Sequence, residues 1–439
     1  METEIITETE KTSKNVFANR NFRLVFFGAL VSELGSALYS FAVSFYILEV
    51  SNNNAFLQGM YLALCGLMLL LFTPVGGVLG DRFNKAGIMF ICDYIKGGLI
   101  LLATVAMTVF AAPSAHIVVL FVVGAVGNAV SGVFSPAAGA IFPHIIDESR
   151  LQQANSYFTI KSSLLGIFGV VLAGILYSTV PVILLFLLVG ICFVISGVSE
   201  MFIRYTEAKR EEHLTLKLAL SDMAEGVRYV REKKAILVFM LSILFINFFF
   251  SPVTANFLPF FIKTDIAGAP SYMFDGFLKP EMWSSVISVI FGISSLVSAA
   301  VLSAKEQDEK CGRKVSGLLI IIAVVTVMLL AGYYILVDRG VSLNAFIITF
   351  CVGSLFIGYL IPAINIPVGT MFMRVVDRDK LSKVGSITNV LSQGLVPIST
   401  ALAGVVLQNL GSTALLLGCA VGFTATALFM LFNKDVKTL

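Results

Sequence analysis

Charged residues are scarce in this chain. Only 13% of its 439 residues are Asp, Glu, Lys or Arg, and 57% are hydrophobic. Soluble domains contain about 25% charged and about 45 to 50% apolar residues. The composition therefore excludes an ordinary soluble protein and indicates a protein that lies in a lipid bilayer.

Residues that bind metal ions or form disulfide frameworks are also few. The three His residues are dispersed along the chain, and five of the six Cys residues lie inside apolar runs. Neither arrangement has the spacing of a metal site or of a disulfide scaffold. The chain also lacks a nucleotide-binding loop and the spacing of a catalytic triad. We therefore expect no enzyme activity, no cofactor, no metal ion and no nucleic-acid partner.

Long apolar runs, by contrast, occur along the whole chain. The first run follows an acidic tail and is too long for a cleaved signal peptide, so we expect it to stay in the protein. An α-helix needs about 20 residues to cross a hydrocarbon core of about 30 Å, and twelve runs reach that length. The predicted spans are 22–50, 55–79, 87–111, 115–142, 154–178, 180–203, 235–262, 282–304, 315–337, 343–373, 384–410 and 412–432.

Lys and Arg are distributed unevenly between the two sides of the predicted spans. If both termini are cytoplasmic, the outer loops hold only Lys263, Lys279 and Arg339, and the deep parts of the spans hold only Lys96 and Lys161. Because cytoplasmic loops are enriched in Lys and Arg, we predict this orientation, in the inner or plasma membrane of the cell. The outer loops are too short for a folded domain, which excludes an extracellular enzyme or receptor domain.

A long inner segment, 204–234, divides the chain into two halves. It contains eight Lys and Arg residues. Its later part has apolar residues at helical spacing, which predicts an amphipathic helix on the membrane surface, with a solvated linker as the alternative. The predicted domains are a cytoplasmic tail at 1–21, six-helix bundles at 22–203 and 235–432 around this linker, and a second cytoplasmic tail at 433–439.

The two halves repeat each other in sequence. Residues 145–156 read I-I-D-E-S-R-L-Q-Q-A-N-S, and residues 375–386 read V-V-D-R-D-K-L-S-K-V-G-S. The two stretches share an Asp, a basic residue, a Leu and a Ser at the same positions. A second pair of inner loops also corresponds, 81–86 with 309–314. The repetition predicts two similar halves.

The loop between the second and third spans carries the most distinctive motif. Residues 77–85 read G-V-L-G-D-R-F-N-K. Gly77 and Gly80 are expected to allow close helix approach, and Asn84 tolerates a left-handed turn. The motif resembles the loop 2-3 signature of the major facilitator superfamily, although a hairpin that merely carries positive charges on the inner side is an alternative reading.

This resemblance implies an all-α membrane protein of the major facilitator fold. Twelve transmembrane helices would form two pseudo-symmetric six-helix bundles with a substrate path between them. The charged loops would then form a cytoplasmic gate. The predicted gate residues are Gly77, Gly80, Asp81, Arg82, Lys85, Glu309, Lys310, Gly312, Arg313 and Lys314.

Three further stretches, 19–36, 134–146 and 224–231, narrow the resemblance. They are similar to the drug:proton antiporter branch, which holds macrolide-type efflux proteins and siderophore exporters. The resemblance implies a monomer that exports an amphipathic or lipophilic small molecule in exchange for protons. One position departs from the pattern, because Val170 stands where such antiporters often have Pro. A lipid or lysolipid translocator, a siderophore exporter and a non-transporting sensor remain alternatives.

Four charged residues lie deep in the predicted spans of the N-terminal half. Counted at about 1.5 Å per residue, Glu33 lies roughly 14 Å from the inner surface, and Asp93, Lys96 and Lys161 lie roughly 9 to 13 Å from it. Charges at such depth are functional candidates by default. We predict Glu33 as the proton carrier with Asp93 as the next candidate, and an intramembrane ion pair that involves Asp93, Lys96 and Lys161. The alternative is that Glu33 stays ionised against Lys161.

The C-terminal half has neutral amides rather than charges in the centres of its spans. Amides can orient a substrate without a counter-charge, and Phe side chains can line an apolar pocket. Pro residues in the seventh and tenth spans are expected to bend those helices. The predicted substrate-cavity residues are Asn128, Asn247, Phe250, Asn256, Asn365, Asn389 and Gln393.

Overall fold

The structure is a computed structural model, and it describes residues 16–147, 150–205, 228, 230–231, 233–303, 311–376 and 392–433. The long elements of these residues are all helices. They are α1 (Arg20–Val50), α2 (Ala55–Arg82), α3 (Lys85–Val109), α4 (Pro113–Ala140), α5 (Leu151–Thr179), α6 (Val182–Met201), α7 (Lys234–Ser251), α8 (Met282–Ser303), α9 (Cys311–Gly332), α10 (Leu343–Val375) and α11 (Val396–Phe432).

The described part of the chain contains 11 helices that are long and apolar enough to cross a membrane. The last of them, α11, holds two of the twelve predicted spans. At Gly411 the backbone leaves the helical region, with φ +81° and ψ 178°. Glycine adopts such a positive φ without steric cost, so the chain turns there between the two spans. The predicted fold class is confirmed.

Helix α7 continues beyond Ser251 through two π-helical turns, Pro252–Phe257 and Ile262–Ile266, on either side of a short α-helical turn. Proline has no amide hydrogen and disturbs the regular hydrogen-bond ladder of an α-helix. The bend expected from Pro252 therefore takes the form of a widened turn within a continuous helix.

Several predictions fall outside the described residues. Most of the amphipathic helix predicted within 204–234 lies outside the described residues. Glu309, Lys310 and Asn389 also lie outside them. The same holds for most of the second copy of the sequence repeat.

The turn between α2 and α3 consists of Phe83 and Asn84. The Asn84 side chain accepts a hydrogen bond from the Gly87 amide at 2.9 Å and caps the start of α3. Its φ is −56°, so the expected left-handed conformation is wrong at this position. Left-handed asparagines occur instead between α1 and α2, where Asn52 and Asn53 have φ values of 54° and 59°.

Close approach between α2 and α4 depends on Gly76 and Gly132. A Cβ atom at Gly76 would lie 2.6 Å from the Gly132 carbonyl oxygen. A Cβ atom at Gly77 would have no described neighbour within 4 Å, and one at Gly80 would lie 3.9 Å from the Ala137 Cα atom. The expectation for Gly77 is therefore wrong, because the face of α2 that meets α4 passes through Gly76. Gly80 lies one turn later on that face, at an ordinary van der Waals distance from α4.

The chain divides into two compact units. The first unit contains Met1–Val43 and Leu64–Ala219, and the second contains Ser44–Ala63 and Leu220–Leu439. The end of α1 and the beginning of α2 thus group with the C-terminal helices. In this respect the division differs from the predicted boundaries, which kept all of α1 and α2 in the N-terminal bundle.

Each unit has its own helix packing. In the first, α3 lies along α6 and also contacts α4. In the second, α8 packs on α10, and α11 packs on α7 and α9. The hairpin 44–63 joins the second unit through a close contact in which a Cβ atom at Gly59 would lie 2.7 Å from the Gly404 Cα atom.

Candidate functional site

An ion pair joins α1 and α5 in the first unit. The Lys161 Nζ atom lies 2.6 Å from Glu33 Oε1, and the Ser162 hydroxyl donates a weaker hydrogen bond to Oε2 at 3.4 Å. The Lys161 side chain is 0% exposed, whereas that of Glu33 is 44% exposed. The Lys161 ammonium also lies 4.4 Å from the centroid of the Phe158 ring. Glu33 is thus an accessible carboxylate that neutralises a buried cation.

This geometry differs from the expected ion pair of Asp93, Lys96 and Lys161. Lys161 pairs with Glu33, which is the alternative that the sequence left open for Glu33. The Lys96 ammonium lies over two aromatic rings, 5.7 Å from the centroid of Phe134 and 5.1 Å from that of Phe193. Residues three apart share one helix face, but a lysine side chain is long enough to reach rings on neighbouring helices.

Asp93 has a different neighbour that the sequence analysis missed. Glu200, in the last turn of α6, is 0% exposed, and Asp93 is 1% exposed. The two carboxyl groups and Lys96 act on one another electrostatically. Glu200 stands near the end of the predicted span 180–203, so it was not among the charges that the sequence placed deep in the membrane. The Gly residue at 197 and the Ser residue at 196 were the signal for close packing of α6 in this region.

A small cavity of about 130 Å³, lined by both polar and apolar side chains, lies within the first unit beside Lys96. Asn128, predicted as a substrate-cavity residue, lines it together with hydroxyl groups from α1 and α4. The Asn128 amide donates a hydrogen bond to the Gly124 carbonyl of its own helix at 2.8 Å. The cavity has room for a few water molecules or a small polar group.

A larger cavity of about 360 Å³ lies within the second unit. Its walls are largely the aliphatic side chains of Ile and Val residues from α7, α9 and α10. Four residues predicted from the sequence line it, namely Asn247, Phe250, Asn365 and Gln393. Amides from three separate stretches of the chain therefore converge on one apolar chamber.

Asn256 does not line this cavity. It is fully buried in the second unit, where its amide donates a hydrogen bond to the Thr400 carbonyl at 3.2 Å. Two glutamines make similar contacts nearby, since Gln58 donates to the Ala255 carbonyl at 3.4 Å and Gln408 accepts from the Ala55 amide at 2.8 Å. The two glutamines hold the hairpin 44–63 against the end of α7 and against α11, and Asn256 joins α7 to α11.

Lys263, predicted as an outer-loop cation, forms two ion pairs in the second unit. Its Nζ atom lies 3.1 Å from Glu49 Oε2 and 2.8 Å from Glu281 Oε1. Glu49 belongs to the end of α1, and Glu281 precedes α8. The cation therefore ties the hairpin to the end of α7 and to the start of α8.

The predicted gate residues lie at the junction of α2 and α3 and at the start of α9. Arg82 is exposed, and Lys85 is buried, with its amide donating to the Tyr205 hydroxyl at 2.9 Å. Lys314 is exposed near the start of α9. Gly312 and Arg313 belong to the first turn of that helix. Their part in a gate stays a prediction.

The family model for the Major Facilitator Superfamily matches residues 25–400, which is most of the chain. The chain belongs to the Major Facilitator Superfamily. It is accordingly a multi-pass membrane transporter that acts on small molecules. The two helical units with internal cavities agree with this family, whose transporters are built from repeated helix bundles.

Two relatives from Bacillus subtilis (strain 168) bear the name "Uncharacterized MFS-type transporter". YvqJ is 21% identical over 423 residues, which cover 95% of this chain and 93% of the relative. YkuC is 25% identical over 301 residues, and the match spans 65% of this chain and 65% of the relative.

Solved structures of membrane transporters have the same fold. A bacterial homologue of the iron transporter ferroportin, crystallised in an inward-facing state, superposes with a TM-score of 0.67 at 14% identity. The match covers 93% of this chain and 98% of that protein. At this identity the likeness establishes the fold alone.

Proposed function

We propose that the protein exports an amphipathic or lipophilic small molecule from the cytosol in exchange for protons. The observation that carries the proposal is the pair of Glu33 and Lys161, in which an accessible carboxylate neutralises a fully buried ammonium. Glu33 cannot carry a proton and form an ion pair with Lys161 at the same time, because the protonated carboxyl group is neutral. Proton binding therefore changes a contact between α1 and α5.

Such a contact can couple a proton gradient to movement. When Glu33 is ionised, the 2.6 Å ion pair holds α1 to α5. When Glu33 is protonated, Lys161 loses its counter-charge, and an unpaired cation in a buried position is costly. Two arrangements of the helices thus differ in proton affinity, and a proton gradient shifts the population between them.

The cavity of the second unit fits the proposed substrate class. Its aliphatic walls favour an apolar body, and the amides of Asn247, Asn365 and Gln393 can each donate and accept hydrogen bonds. The residues that line this cavity are all uncharged. A substrate with an apolar body and a few neutral polar groups would pack against the aliphatic walls and form hydrogen bonds with these amides.

The test uses vesicles that contain the purified protein and carry an imposed pH gradient. We expect Glu33→Gln to abolish uphill transport, since the amide keeps the side-chain volume but cannot exchange a proton. Downhill exchange of substrate should persist in this variant. Glu49→Gln is the matched control, because Glu49 lies on the same helix and pairs with Lys263 instead. It should retain uphill transport.

Two results would contradict the proposal at different levels. Uphill transport by Glu33→Gln would show that the coupling proton binds elsewhere, with Asp93 as the next candidate. If the wild-type protein failed to respond to the gradient, proton antiport itself would be wrong. The sequence carries one warning of that outcome, the Val residue at position 170 in place of Pro.

A lipid or lysolipid translocator is the second candidate function. A groove of about 780 Å³ lies between α2, α3 and α4, and its lining is almost wholly apolar. An amphiphile could enter such a groove sideways from the bilayer. Accumulation assays with macrolides, dyes, siderophores and lysolipids, in cells with and without the protein, distinguish the candidates. Selective loss of lysolipid from the cells would favour translocation of lipid over export of drugs.

A further inference from the structure

A second group of ionisable side chains lies inside the first unit, on different helices from the Glu33 and Lys161 pair. Asp93 and Lys96 come from α3, and Glu200 comes from α6. Both carboxyl groups are shielded almost completely, with exposures of 1% for Asp93 and 0% for Glu200. Lys96 acts electrostatically on both carboxyl groups.

The carboxyl group of Glu200 has no hydrogen-bond partner for either Oε atom among the described residues, and Asp93 lacks one for Oδ2. The Ser196 hydroxyl lies beside Asp93 and donates its hydrogen to the Gly28 carbonyl at 2.9 Å, so within the described part of the chain Glu200 is the carboxyl group without any donor. A buried carboxylate without donors loses its hydration and gains nothing in return. A protonated carboxyl group avoids this cost, because it is neutral and can donate a hydrogen bond itself.

The charges of the group do not balance when all three side chains are ionised. Two carboxylates and one ammonium leave a net charge of −1 in a region of low dielectric constant. Because one lysine can neutralise only one carboxylate, the other is stabilised by a proton. We propose that Asp93 and Glu200 together hold one proton at neutral pH and form a proton-binding site separate from Glu33.

Among the described residues, the groups that surround this site do not remove the imbalance. Helix α3 contributes Cys92 and Lys96, and the ring of Tyr94 on the same helix packs against α6. A thiol and a phenol are neutral at pH 7 at their ordinary pKa values. The residue of α1 that lies against Glu200 is Gly28, which carries no charge. Lys96 therefore acts as the counter-ion of a single carboxylate.

The inference concerns equilibrium protonation and does not depend on the transported substrate or on antiport. Infrared spectra of the protein in membranes, recorded at pH 7 in H₂O and D₂O, reveal a protonated carboxyl group by its C=O stretch and isotope shift. We expect this band in the wild-type protein and its loss in Glu200→Gln. The matched control is Glu33→Gln, which removes a carboxyl group from a different helix pair and should keep the band.

Lys96→Met provides the sharpest test. Without the ammonium, both carboxyl groups should take up protons, and the band should about double in intensity. At pH 7 the unfolding temperature of Glu200→Gln should also equal that of the wild-type protein, because the amide resembles the protonated side chain.

Four outcomes would overturn the proposal. The first is a wild-type spectrum without the band, or a band that persists in Glu200→Gln. The second is a band that Lys96→Met leaves unchanged. The third is stabilisation of the wild-type protein by Na⁺ that Glu200→Gln abolishes, in the absence of the band, because the site would then hold a metal cation. A Glu200→Gln protein that failed to fold would also contradict it.

Discussion

The contribution of each cavity amide in the second unit to substrate binding can be measured by substituting that residue alone. Asn365 faces the 360 Å³ cavity, and Asn365→Leu removes its donor and acceptor while keeping a similar volume. One lost hydrogen bond is worth about 0.5 to 1.5 kcal/mol, so we expect the substrate KM to rise by up to about tenfold. The measurement is the concentration dependence of transport into vesicles.

Asn409 provides the control for this substitution. Its amide donates to the Val405 carbonyl of its own helix at 2.9 Å, and the side chain is exposed. Asn409→Leu should leave KM unchanged. If both substitutions changed KM equally, Asn365 would not be a residue of the substrate site.

At the scale of single residues, the sequence identified four deep charges and left the pair of Glu33 with Lys161 open, but it could not choose between the pairings. Glu33 and Lys161 are 128 positions apart, and hydropathy carries no information on which helix faces meet. The expected pairing of Asp93 with Lys96 relied on local spacing alone. Glu200 escaped notice because depth counted along a span underestimates burial by neighbouring helices.

At the scale of whole helices, the contact between α2 and α4 yields a prediction about the stability of the protein. Gly76→Ala places a Cβ atom 2.6 Å from the Gly132 carbonyl oxygen, so the two helices must move apart. Overpacking of this kind costs about 1 to 3 kcal/mol of unfolding free energy. Gly77→Ala is the matched control one residue away and should change stability by less than about 0.5 kcal/mol. Unfolding of the two purified variants, compared under identical detergent conditions, gives the difference.

A reversed order of stability would mean that α2 presents a different face to α4. Such a result would restore the original expectation for Gly77. The helices themselves were predictable, because runs of about 20 apolar residues are unambiguous. The π-helical turns of α7 were not, since Pro252 signals a bend without specifying its form.

The contact between the hairpin 44–63 and α11 yields a prediction about transport as a whole. Alternating access requires contacts on each face to open in turn, and we expect the hairpin 44–63 to separate from α11 during the cycle. In a background without native cysteines, Ala55→Cys and Gln408→Cys are joined by a short cleavable thiol cross-linker. Transport should fall at least tenfold and return after cleavage.

Each single-cysteine variant, treated with the same reagent, is the control and should transport normally. Undiminished transport by the cross-linked protein would show that the hairpin and α11 move together throughout the cycle. The sequence predicted two halves from their repeats, but it gave no sign that the turn after α1 packs with the opposite half. That assignment depends on tertiary contacts such as the one between Gly59 and Gly404.

The packing of this hairpin also affects how the protein is made. The ribosome synthesises Ala55 353 residues before Gln408, an interval on the order of 20 to 70 s at about 5 to 20 residues per second. Throughout that time the Ala55 amide lacks its acceptor on α11, and Gln58, which is buried in the finished protein, lacks the Ala255 carbonyl until the end of α7 has been made. A nascent chain therefore carries an unfinished hairpin until α11 is inserted, and we expect chains truncated before α11 to be degraded faster than the full chain.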